Sequence, residues 1–255
     1  MRFKEQVAVI TGGGSGIGKA TALRLAKEGA NVILVGRTME KLEGVAEEIN
    51  GRSHYIQAAC FAADVTKEEE VSELLKFIKD QYMDLHVVVN NAGGSVQSKI
   101  MDTAPEAWDI VQEVNLKSVF LVSKILGKFM MENSTRGGNR AFVNVASLSG
   151  HKAAAHLPHY SSSKAAVINF TRALAHELAP YGIRANSVSP GYIDTPLTEW
   201  SLTNERFLKS IERNTALKRV GTSEEISNVI AFLASHEASY MTGSDVLVDG
   251  GWMIT

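Results

Sequence analysis

Residues 7–35 constrain the fold more than any other stretch. Val7-Ala8-Val9-Ile10 is a short apolar run of the kind that forms a buried parallel strand. Thr11-Gly12-Gly13-Gly14-Ser15-Gly16-Ile17-Gly18 follows at once. A helical pattern carrying Ala22, Leu23, Leu25 and Ala26 then runs to Gly29, a C-cap signal. Val32-Ile33-Leu34-Val35 is a second apolar run. The segment predicts a βαβ unit with a glycine-rich first turn. Glycine lets such a turn close tightly and lets backbone N–H groups reach a pyrophosphate, whose charge the helix N-terminus favours. The glycine spacing is G-x-x-x-G-x-G rather than G-x-G-x-x-G. In another setting it would be a flexible loop; between a strand and a helix it points to a dinucleotide.

The alternation continues. Residues 39–50 predict a helix, and 57–65 contain a third strand ending at Asp64-Val65. Residues 67–80 form an amphipathic pattern with Val71, Leu74, Leu75 and Ile78 on one face. A fourth strand at 85–89 runs into Asn90-Asn91-Ala92-Gly93-Gly94. Pro105 opens a long helix to about Met131, with Asn115, a mediocre helix former, in its middle. Further strands are expected at 141–146, 184–188 and 245–248, with a helix at 223–234. Strands alternating with helices argue for an α/β fold: a single-domain, Rossmann-like, doubly wound parallel sheet of about seven strands, with helices on both faces. The 255 residues suffice for one such domain, and no linker or repeat divides them. Residues 192–217 lose the pattern and read as a flap of short helices.

Composition removes several function classes. A net charge of −2 with interspersed signs is no nucleic-acid footprint. No apolar run approaches the ~18 residues of a membrane-spanning helix, and no signal-peptide core precedes the first strand. Cys60 is the only cysteine, so no intrachain disulfide forms, and the expected setting is cytoplasmic.

The chemistry concentrates in Tyr160-Ser161-Ser162-Ser163-Lys164, which opens a helical run after Pro158. Residues four apart share a helix face. A phenol and an ammonium can therefore meet, and a nearby cation lowers a tyrosine pKa from its usual ~10. The bland alternative is a packed ring and a solvated amine. His151, His156 and His159 suggest a metal cluster, but no carboxylate stands among them in sequence; substrate-side lining or plain surface is the expectation, with no metal.

These motifs together resemble the short-chain dehydrogenase/reductase family, over nearly the whole chain, and its 3-oxoacyl-carrier-protein reductase branch in particular. Gly12, Gly14, Ser15, Gly16, Ile17 and Gly18 match the family's cofactor turn. Asp64 and Val65 match its adenine contacts, Asn91, Ala92 and Gly93 the motif after the fourth strand, and Pro190, Gly191, Ile193 and Thr195 the segment beside the nicotinamide. Asn115, Ser147, Tyr160 and Lys164 match the catalytic tetrad. The resemblance implies hydride exchange between a nicotinamide and a carbonyl carbon. Tyr160 would supply the proton, Ser147 orient the oxygen, Lys164 lower the tyrosine pKa and hold the ribose, and Asn115 place a water. It also implies a homotetramer packed through the helices of Asn115 and Tyr160 and through the C-terminal strand and tail.

The second strand ends Val35-Gly36-Arg37-Thr38. Family members that use NAD carry aspartate at the position of Gly36. Arg37, with Thr38, instead suits a 2′-phosphate, so NADP(H) is expected, with NAD(H) as the alternative. The family's second basic anchor is absent, because Ser15 stands there. The leading expectation is an NADPH-linked ketone reductase. The alternatives are an NAD-linked alcohol or sugar dehydrogenase and a non-catalytic dinucleotide-sensing or scaffold protein. The intact tetrad disfavours the last.

Overall fold

The protein is described here by a computed structural model covering residues 1–53 and 57–255, without the side chains of Trp200 and Ser201. Seven strands form one sheet in the order β3-β2-β1-β4-β5-β6-β7, and every pairing is parallel. The strands are β1 (Val7–Thr11), β2 (Asn31–Gly36), β3 (Ala58–Ala62), β4 (Val87–Asn90), β5 (Arg140–Val145), β6 (Ile183–Pro190) and β7 (Asp245–Val248). The helices are α1 (Gly16–Lys27), α2 (Met39–Asn50), α3 (Glu68–Tyr82), α4 (Pro105–Gln112), α5 (Ser118–Glu132), α6 (Pro158–Leu178), α7 (Glu199–Leu202), α8 (Glu205–Asn214) and α9 (Ser223–Ala234).

Two buried layers follow from the period-2 alternation of the strands. Ala8, Ile10, Val32, Leu34, Val87, Val89 and Val143 pack with Leu25 of α1, Leu42 and Val45 of α2, and Ile226 and Ile230 of α9. Their sequence neighbours Val7, Val9, Ile33, Val35, Val88 and Phe142 pack with Leu74 and Ile78 of α3, Leu126 and Met130 of α5, and Leu178 of α6. Burial on both faces explains why these strands are unbroken apolar runs. Gly29 behaves as the sequence suggests. It sits at φ +100° beyond α1, and its N–H donates to Ala26 O. Cys60 is half-buried in β3, where burial pushes its thiol pKa up.

The long helix predicted through Asn115 is interrupted. A π-helical turn, Glu113–Lys117, separates α4 from α5. Asn115 Nδ2 donates to Val111 O at 2.9 Å, capturing the carbonyl that an α-helical N–H of residue 115 would use. β6 is longer than expected because Ser187 and Ser189 are buried along it and both hydroxyls donate to Asp245 of β7. The strand order reverses direction between β1 and β4. Ligands of open α/β sheets bind beyond the carboxyl ends of strands at such a switch point.

Candidate active site

A cleft of about 630 Å³ opens at that point. Its floor is the glycine turn. A Cβ on Gly18 would stand 2.1 Å from Gly12 O, so α1 packs against the end of β1 only because residue 18 has no side chain. Gly12 has φ +66°, and a Cβ there would meet Asn91 Nδ2 at 2.8 Å. No side chain caps the N-terminus of α1, whose first turn also lacks acidic residues. Its orphan N–H groups face an open turn, which fits the pyrophosphate of a dinucleotide.

Asn91 joins this turn to β4. Its Nδ2 donates to Thr11 O at 3.0 Å, and Asn91 N and Ala92 N both donate to Thr11 Oγ1 at 3.0 Å. Beneath it runs a buried polar chain. Asn90 Nδ2 donates to Asn144 Oδ1 at 2.9 Å, and Asn144 Nδ2 to Thr171 Oγ1 at 2.8 Å. Each satisfied bond is worth about 1 kcal/mol net, and each broken one leaves a costlier buried orphan. This chain ties the ends of β4 and β5 to α6, the elements that carry Gly93, Ser147 and Tyr160. The π turn aims Asn115 at the same place: its Nδ2 donates to Gly94 O at 2.7 Å, and its Oδ1 accepts from Gly94 N at 3.3 Å. A Cβ on Gly93 would lie 2.8 Å from Asn115 Oδ1 and 3.5 Å from Lys164 Nζ, so glycine keeps open the space between amide and ammonium.

Ser147 follows β5 and lines the cleft, its Oγ accepting from Ser149 N at 3.0 Å. Gly150 lets this loop lie on α6: a Cβ there would sit 2.9 Å from the carbonyl carbon of Lys164. Lys164 is buried, at 4% exposure, and burial lowers its pKa to about 8. Its Nζ donates to Val145 O at 2.7 Å and lies 5.7 Å from the centre of the Tyr160 ring. The expected lowering of the Tyr160 pKa is therefore not met in this state. Burial raises it, and the Ser147 hydroxyl, which pulls the other way, does not compensate. The lysine charge is engaged by a backbone carbonyl.

Of the expected site residues, the cleft brings together Gly12, Ser15, Gly16, Ile17, Asn91, Ala92, Gly93, Asn115, Ser147, Tyr160, Lys164, Pro190, Gly191, Ile193 and Thr195. Gly14, Gly18, Arg37, Thr38, Asp64 and Val65 lie outside it. Gly14 and Gly18 shape the turn, and the other four stand at the far end of β2 and beyond β3. Burial raises the Asp64 pKa, but hydrogen bonds from Thr66 and the charges of Arg37 and Lys67 outweigh it, so the carboxyl lies below its usual range. Lys41 was not anticipated. A Cβ on Gly14 would lie 3.0 Å from Lys41 Cβ, so the base of a lysine side chain on α2 lies against the glycine turn. The only signal in the sequence was a lysine in the first turn of α2.

The histidines part company. His156 lines the cleft at φ +60°, and its carbonyl accepts from Ser98 N at 2.8 Å. His159 is neither lining nor surface. It is fully buried, with Nδ1 accepting from Tyr160 N at 3.0 Å. His151 does meet a carboxylate, because the fold brings up Asp245 with Oδ2 2.8 Å from Nε2. Among the described residues no group of three metal-ligating side chains forms. In the flap, Phe207 joins Tyr192 and Leu197 on the cleft wall. The Trp200 side chain of the same flap lies outside the described residues.

Comparison with known proteins places this geometry. A family model described as enoyl-(acyl carrier protein) reductase matches residues 12–253. The chain is 38% identical to 3-oxoacyl-(acyl-carrier-protein) reductase FabG of Thermotoga maritima, with all of both chains covered. It is 35% identical to cyclopentanol dehydrogenase of Comamonas sp., covering 98% of each. The crystal structure of a short-chain type dehydrogenase/reductase from Mycobacterium marinum superposes with TM-score 0.93 at 36% identity, covering 99% of this chain and 97% of that one.

Proposed function

The chain belongs to the short-chain dehydrogenase/reductase family, and from that premise we propose that it is an NADPH-linked reductase of uncharged ketones, with 3-oxoacyl thioesters the leading substrate class. As a family member it is an oxidoreductase acting on CH–OH and C=O groups with NAD(P). The observation that carries the finer reading is the cleft lining. Among the described residues it contains no aspartate, glutamate or arginine, and Lys164 is its one lysine. Ala154, Ala155, Leu157, Tyr192, Leu197 and Phe207 supply an apolar wall. A substrate carboxylate would enter without a counter-charge of its own, at a desolvation cost.

The proposed roles follow from position. The nicotinamide, when bound, supplies or accepts the hydride. Tyr160 holds the proton at Oη and delivers it to the carbonyl oxygen; a raised pKa keeps it protonated at neutral pH, as an acid in reduction must be. Ser147 donates to the same oxygen and fixes its direction. Lys164 stabilises the tyrosinate left behind. Asn115 and the gap over Gly93 leave room for a water that returns the proton. Gly12, Gly14, Ser15, Gly16, Ile17 and Gly18 would hold the pyrophosphate, and Asn91, Ala92, Gly93, Pro190, Gly191, Ile193 and Thr195 the nicotinamide end. Asp64 and Val65 would take the adenine. Arg37 and Thr38, with Lys41 on the neighbouring helix, would take the 2′-phosphate.

The NAD-linked alcohol dehydrogenase reading keeps one point in its favour, the likeness to cyclopentanol dehydrogenase. Ketones, 3-oxoacyl thioesters, alcohols and free oxo acids, each assayed with both cofactors, separate the readings. Uncharged ketones or thioesters with NADPH should be turned over fastest; a free oxo acid or an alcohol with NAD as best substrate would overturn the proposal.

We also propose a homotetramer. Ile110 of α4 and Phe120 of α5 are 62% and 44% exposed, and Ile254 in the tail is 84% exposed, apolar side chains that contact with further copies of the chain would cover. Light scattering that returns a monomer at micromolar concentration would refute it.

A further inference from the structure

The chain's last residues fold back onto the flap. Gly250 and Gly251 have φ +63° and +83°, and Cβ atoms there would stand 2.7 Å from Thr215 Cγ2 and Ala216 Cβ. Leu217 N donates to Gly250 O at 3.0 Å, and Thr255 Oγ1 donates to Asn214 O. The Asp249 carboxylate accepts from Gly251 N and Met253 N, both at 2.9 Å, and so caps the terminal turn. The turn presents Trp252 to Tyr192, ring centres 4.8 Å apart at 66°. Tyr192 in turn meets Phe207 of α8 edge-on, at 5.2 Å and 86°.

Tyr192 and Phe207 line the cleft; Trp252 does not. Behind Tyr192 lies a separate cavity of about 90 Å³, lined also by Thr215, Leu217, Val248 and Gly250. The tyrosine ring thus has somewhere to go if nothing holds it. Edge-to-face contacts are directional, and one ring constrains the tilt of the next.

We propose that Trp252 is a positioning residue for the substrate wall. Through Tyr192 it sets where Phe207 stands, and so the width of the apolar end of the cleft. The idea rests on the oxidoreductase reading for its kinetic consequence but not for its structural one. None of the three rings belongs to the glycine turn, so substrate and cofactor binding should respond differently.

The experiment compares wild type, Trp252→Ala and Trp252→Phe. Trp252→Ala should raise KM for a ketone about tenfold, the value of one lost aromatic contact, and leave the cofactor Kd by calorimetry within about twofold. Trp252→Phe should recover most of the loss. Hydrogen exchange, which needs no substrate, should quicken over residues 205–214 in Trp252→Ala. Trp252→Leu stands in if the alanine variant unfolds. An unchanged ketone KM, or a cofactor Kd that rises with it, would overturn the proposal. If wild type turns over no ketone or alcohol, the oxidoreductase reading fails by itself. Exchange then decides the ladder, and unchanged protection at 205–214 rejects it.

Discussion

Tyr160→Phe should cut ketone reduction by about a thousandfold or more and leave cofactor affinity within about threefold of wild type. General acid catalysis is worth roughly 10²–10⁴-fold, and phenylalanine removes the hydroxyl proposed to supply the proton while keeping the ring. The ring matters because it packs beside Lys164, whose Nζ lies 5.7 Å from its centre. The wild-type pH profile carries a second signature. The Tyr160 pKa is raised, so the donor keeps its proton through neutral pH, whereas burial brings Lys164 down to about 8. Because kcat/KM reports the groups of the free enzyme, reduction should fall as pH climbs through about 8 and the lysine charge is lost. A Tyr160→Phe enzyme retaining more than a few per cent of the wild-type rate, with its pH profile intact, would show that the proton comes from elsewhere.

The second large effect is at the cofactor's 2′ position. Wild type should favour NADPH over NADH by about 10- to 100-fold in kcat/KM, the value of one charge-assisted contact of roughly 1.5–3 kcal/mol. Gly36 ends β2 with no acidic side chain to accept from a ribose hydroxyl, and exposed Arg37 follows it. The base of Lys41 on α2 lies against Gly14 in the glycine turn, within a side chain's length of the cation position that Ser15 leaves empty. Exposure and the neighbouring Asp64 charge weaken Arg37, so the preference is finite rather than absolute. Gly36→Asp/Arg37→Leu should lose or invert it, because the new carboxylate repels a phosphate and accepts from a hydroxyl. A wild type that prefers NADH, or a double variant with unchanged preference, would contradict the assignment.

The sequence was most readable where short-range pattern decides structure. The β1–α1–β2 unit and its glycine turn, the helix over 39–50 and the strand over 245–248 are all where apolar periodicity and turn residues put them. Order and spacing of the motifs were enough to gather Asn115, Ser147, Tyr160 and Lys164, because each stands just beyond a strand or on the helix after it. What the sequence hid depends on contacts between distant segments. The π turn exists because the Asn115 side chain takes a particular carbonyl. The Tyr160–Lys164 spacing says that the two share a helix face, but not that Val145 O already holds the ammonium. Asp245 meets His151 across 94 residues, and Lys41 meets Gly14 only because α2 lies against the turn. Trp252 meets Tyr192 only because the tail folds back onto the flap of its own chain.

Ketone-dependent oxidation of NADPH by the purified wild-type protein tests the central claim most directly. With an uncharged ketone or a 3-oxoacyl thioester, one carbonyl should be reduced to the secondary alcohol for each NADPH consumed, and the rate should saturate with substrate. If the protein binds NADPH but consumes none with any member of the panel, the account of a ketone reductase is wrong.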